Sequence, residues 1–107
     1  MDPINALLNA ERLLMNWIFD VSPTSDEERA DLTRALAFRD EIHRFNNELV
    51  LKRLQVASLG LAGQTASLEA LTGRMRDEAK TISSVKNVVN IAGEVVTVAA
   101  SIAAMLV

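Results

Sequence analysis

His43 is the single histidine of a chain that has no cysteine, which makes it the first residue to test for acid–base or metal chemistry. On a helix, Asp40 and Asn47 lie one turn to either side of it, and Leu36 and Val50 fall seven residues away on the same face. A general base or a metal ligand needs convergent partners: a second imidazole, a thiolate or a second carboxylate on the same strip. None is spaced that way, so a structural histidine is expected and no catalytic or metal site is assigned.

Two carboxylates stand out by their surroundings. Glu11 sits off the polar stripe of its segment, close on the helical wheel to Ile4 and Ile18. A buried carboxylate is costly unless paired, so Glu11 must reach a partner, such as an arginine on the next helix, or sit at an exposed edge. Glu94 is the only charge between Val88 and Val107. It belongs either to a solvated stripe or to the lumen side of a membrane-spanning helix, where ionisable groups are expensive. Gly60 and Gly63 have no strand before them and no Lys-Ser/Thr pair after them, so they read as a turn and not as a phosphate loop.

The elements that carry these residues are helices. Asp2-Pro3 gives an N-cap followed by proline at the first helical position, opening a helix over about 3–20. Its polar residues Asn5, Asn9, Arg12, Asn16 and Asp20 form one narrow stripe, and Trp17 lies on the broad apolar remainder. Val21 to Ser25 is a turn. Ser25 then starts a capping box with Asp26, Glu27 and Glu28 in the first turn, opening a second helix over about 26–58. It carries Ala35, Phe38, Ile42, Phe45 and Leu49 at helical spacing, with Leu32, Leu36, Val50 and Leu54 as a neighbouring strip. After the glycines a third helix is expected over about 65–107, with Thr65 or Ser67 as its cap. A heptad register runs Leu54, Leu61, Leu68, Met75, Ile82, Val89, Val96, Ala103, with Ala57, Gln64, Leu71, Glu78, Val85, Ala92, Ala99 and Leu106 as its partner positions.

The last segment widens its apolar face. From Val88 onward the seam is flanked by Val88, Ile91, Val95, Val98, Ile102 and Met105, and polar groups persist only as the stripe Lys80, Ser83, Asn87, Asn90, Glu94, Thr97, Ser101. At about 1.5 Å per residue the three helices measure roughly 27, 50 and 64 Å. The expected fold is all-α and elongated: an antiparallel helical hairpin with coiled-coil-like packing, thickened to a three-helix bundle at the end that holds both termini.

Composition agrees with this class. The chain has 107 residues, half of them hydrophobic, with three Phe, one Trp and no Tyr, so its apolar content is the Leu, Val, Ala and Ile of helix packing. One domain is expected. Acids outnumber bases 14 to 11, and no basic face with interleaved aromatics exists, which argues against nucleic acid. No cofactor or small-molecule substrate is expected. Asp2 is the only early charge, so a cleaved Sec-type signal is not expected, and a cytoplasmic location and secretion by a non-Sec route both stay open.

The functional expectation is a non-enzymatic helical assembly or interaction protein, a homo-oligomer or the partner of another helical protein. Its expected interface is Trp17, Val88, Ile91, Val95, Val98, Ile102 and Met105, because large apolar patches seldom stay bare on a soluble monomer. The alternative is a membrane-active, pore-forming or translocator-type protein that inserts its terminal helices, with the Asn5/Asn9/Asn16 and Asn90/Glu94/Thr97 stripes facing each other or a lumen. The absence of a Trp/Tyr belt and of Lys/Arg after the last helix weighs against it.

Overall fold

A computed structural model describes residues 2–80 and 85–106, and among them the chain forms five α-helices and no strand. Helix α1 (Pro3–Asp20) starts where the sequence places it: the Asp2 carboxylate accepts from the Asn5 backbone N–H at 2.8 Å. Helix α2 (Asp26–Leu51) starts in the expected box. The Glu28 N–H donates to Ser25 Oγ at 3.1 Å, and the Glu28 carboxylate reaches back to accept from the Thr24 N–H and hydroxyl, both at 2.8 Å.

The second helix ends earlier than expected. Lys52, at φ −112° and ψ 30°, separates α2 from a short helix α3 (Arg53–Ser58). The glycine turn is where the sequence marks it but narrower. Gly60 takes φ +63°, the left-handed region that favours glycine, whereas Gly63 already lies within α4 (Ala62–Ala79). The caps expected at Thr65 or Ser67 are unused, and Leu61 precedes α4 without a side-chain cap.

The single third helix over 65–107 is corrected to two. Helix α4 stops at Ala79 and α5 runs Val85–Ala104; Thr81, Ile82, Ser83 and Ser84 of the expected seam and stripes lie outside the described residues. The two helices pack side by side and antiparallel, since Arg74 pairs with Glu94 at 3.5 Å while the later Glu78 meets the earlier Asn87 at 3.4 Å. A straight helix of that length would measure roughly 64 Å, but the molecule is 45 × 21 × 17 Å.

Four long helices therefore surround one core. Helix α1 packs on α2 and α4, α5 also packs on α2 and α4, and α1 and α5 stand at opposite corners. Glu27 with Lys86, at 3.3 Å, and Phe38 with Gly93 rise together in number, so α2 and α5 are parallel. Helices α1 and α2 are antiparallel, with Glu11 beside His43 and Ile4 sharing a cleft with Val50. The expected arrangement, three helices at one end and two at the other, gives way to four helices packed around one core.

The core of α4 also departs from the heptad reading. Leu61, Leu68 and Met75 are buried as expected, but Thr65 and Thr72 fill the neighbouring positions and Gln64 does not. Each threonine hydroxyl donates to the carbonyl one turn back, Thr65 to Leu61 at 2.8 Å and Thr72 to Leu68 at 2.7 Å. With the hydroxyl satisfied inside the helix, the side chain presents a methyl to the core.

Candidate functional site

The predicted interface residues divide sharply. Val88, Val95 and Ile102 are fully buried, Ile91 and Trp17 are also buried, Val98 is partly covered, and only Met105 is exposed. Folding α5 back between α2 and α4 supplies a neighbour on each flank, so the surface that two-helix geometry leaves open is consumed by the chain's own core. The polar stripe lies outside: Asn90, Glu94 and Thr97 are exposed, and Thr97 donates its hydroxyl to the Gly93 carbonyl at 3.1 Å. Asn5, Asn9 and Asn16 are likewise exposed, but on α1, so α4 stands between the two stripes. Glu94 pairs with Arg74 in a surface ion pair of small energetic value.

His43 and Glu11, which the sequence marks separately, are brought together. Helix α2 sets His43 and Asn46 one turn apart against α1, and Glu11 faces both from within that interface. With a proton on Nδ1, the imidazole donates to Glu11 Oε1 at 3.1 Å, and Asn46 Nδ2 donates to the same oxygen at 3.3 Å. Glu11 is buried and its histidine partner half-exposed. The expected partner, an arginine, is replaced by a histidine and an amide. A carboxylate oxygen only accepts, which fixes the amide with nitrogen toward Glu11 and leaves Asn46 Oδ1 buried without a partner among the described residues.

This trio borders a cleft of about 120 Å³ whose other walls are Ile4, Leu8, Asn47 and Val50. A carboxylate–imidazole pair can orient a base, but the cleft walls contribute no hydroxyl or thiol for it to activate. Among the described residues, no three His, Cys, Asp or Glu side chains gather as a metal set. What the trio does in this geometry is pin α1 to α2 at one register.

A second feature lies on α2 and α3. The outer face of α2 and α3 carries Leu36 at 50% and Val50 at 44% exposure, with Leu51 and Leu54 at 85% and 89%. The helical strip Leu32, Leu36, Val50, Leu54 is legible in the sequence, but which of two strips faces the core is not. Phe19 stands exposed at the end of α1, apart from this strip.

Compared with protein-family models, with curated proteins and with solved structures, the chain matches none. Fold and site together define an all-helical protein with an apolar strip on one outer helix face.

Proposed function

We propose that this chain is a non-enzymatic helical assembly or interaction protein whose α2–α3 face is covered by a helix from another copy or another protein. The observation that carries this reading is the exposure of Leu36, Val50 and Leu51 on α2 and Leu54 on α3, in a chain that fully buries much smaller groups such as Ala10 and Ala99. Burying a large aliphatic side chain is worth roughly 1.5–3 kcal/mol, so covering this strip is a substantial driving force. We also read the helical packing as a bundle with coiled-coil-like seams. The 4–3–4–3 spacing of Leu61, Thr65, Leu68, Thr72 and Met75, all buried, supports that.

Analytical ultracentrifugation across a concentration series tests the function. The wild type is expected to associate, and the triple variant Leu36→Glu, Val50→Glu, Leu54→Glu to sediment as a smaller species of unchanged helicity. A wild type that stays monomeric and binds no helical partner would sink the reading.

The membrane-active reading has one observation in its favour: α5 is long and apolar enough, by length and composition, to cross a bilayer. Its apolar side chains are those packed against α2 and α4, so insertion requires their withdrawal from the core. Dye release from liposomes separates the two, and the assembly reading predicts none.

A further inference from the structure

We propose that the occupant of the α2 face is a second copy of this chain, its α2 antiparallel to the first and the two-fold axis passing beside His43. This rests on the interaction reading above and names its partner.

The first argument is the symmetry of the strip. Leu36 and Val50 each lie seven residues from His43, and all three belong to α2. Positions seven apart keep nearly the same face of a helix, with a drift of ~20°. Turning a copy end for end about His43 therefore sets Leu36 against Val50 of the second copy, all within the unbroken stretch of α2. Every contact occurs twice, as a two-fold interface requires. Leu36, His43 and Val50 are all exposed, so this part of the strip is available without opening the core, against which Leu32 already packs.

Charge selects the antiparallel pairing over the parallel one. Asp40 and Arg44 project on the same side of the strip, with side chains 73% and 62% exposed. In a parallel pair the two-fold axis runs along the helices and carries the Asp40–Arg44 flank of the second copy to the far side of the seam, where the two flanks do not meet. In the antiparallel pair Asp40 lies beside Arg44 of the second copy, offset by two residues or ~3 Å along the axis. The same operation carries the acidic first turn of each α2, Asp26 to Glu28, toward the basic exit at Lys52 and Arg53 of the other. It also opposes the two helix dipoles, which a parallel pair aligns. The polar groups between the leucines, Asp40, His43 and Asn47, make this a dissociable dimer and not an obligate one.

The absence of cysteine makes the geometry directly readable by disulfide trapping. Single variants Leu36→Cys, Val50→Cys and His43→Cys are oxidised alone, and Leu36→Cys is also mixed with Val50→Cys. Circular dichroism checks that each is folded, and sedimentation of the reduced wild type gives the mass. The expected result is rapid cross-linking of His43→Cys with itself and of the mixture, with Leu36→Cys and Val50→Cys alone at least ~10-fold slower. Leu36→Cys alone linking as fast as the mixture would mean a parallel pair and overturn the proposal. A wild type that dimerises while neither His43→Cys nor the mixture links would place the interface elsewhere, sinking this proposal and leaving the interaction reading intact. A wild type monomeric at every concentration, whether or not it binds vesicles or another protein, overturns the second copy. The interaction reading falls with it only if no helical partner binds either.

Discussion

The ring of Phe38 on α2 lies against Gly93 on α5, close enough that a Cβ added at Gly93 would meet Phe38 Cζ at 3.3 Å. This contact is one of those that bring the parallel helices α2 and α5 together, and it leaves room at position 93 for little more than a methyl. Glycine there costs about 1 kcal/mol of helix propensity relative to alanine.

Gly93→Ala is expected to be neutral or to stabilise by up to about 1 kcal/mol. The half-buried Phe38 ring needs to retreat only a few tenths of an ångström, because the contact is to its outer edge. Gly93→Leu must push the ring aside and is expected to lose about 1–3 kcal/mol. Urea midpoints at unchanged m-value measure both, and a Gly93→Leu protein as stable as wild type would show that the two helices do not meet there.

The Glu11 trio predicts a ranked series. Glu11→Ala removes an acceptor from two donors and leaves the Asn46 amide buried without its partner, a loss of about 1–3 kcal/mol. His43→Ala removes one hydrogen bond from a half-exposed ring and is expected to cost about 0.5–1.5 kcal/mol. In the Glu11→Ala background the second substitution should cost much less, a non-additivity that a double-mutant cycle measures directly. Fully additive losses would mean that the two side chains do not interact.

Glu28 predicts a dependence on pH. The Thr24 backbone N–H, and then its hydroxyl, hold the Glu28 carboxyl below the usual carboxylate range. A group whose folded pKa is lowered contributes stability that is present above its unfolded pKa and lost as pH falls through the folded value. The stability gap between wild type and Glu28→Gln should therefore be widest near neutrality and close between about pH 5 and pH 3. Thermal midpoints of the two proteins across that range check it, and a gap that widens in acid would refute the capping role.

How far the sequence could be read depends on the range of the interaction involved. The starts of α1 and α2 follow from Asp2-Pro3 and from Ser25 with Glu28, because a cap is decided within four residues. The turn at Gly60 and the all-helical class follow from equally local signals. Between Ala79 and Val85 there is no glycine, no proline and no change of heptad register. Thr81, Ser83 and Ser84 can each cap a helix, but the heptad register passes over them unbroken, and only the antiparallel pairing of α4 with α5 shows that the chain has reversed.

That reversal is what separates the expected surface from the observed one. Periodicity correctly marked Val88, Ile91, Val95 and Ile102 as needing cover on two flanks, but it could not say whether cover comes from the same chain or from another. Tertiary structure answered it by placing α5 between α2 and α4. Glu11 is a parallel case: the cost of burying a carboxylate demanded a partner, and only the register of α1 on α2 made that partner His43 and Asn46. On α2 the sequence offered two apolar strips at helical spacing. One helix can turn only one face to a core, so packing buried Ala35, Ile42 and Leu49 and left Leu36, Val50 and Leu54 outside.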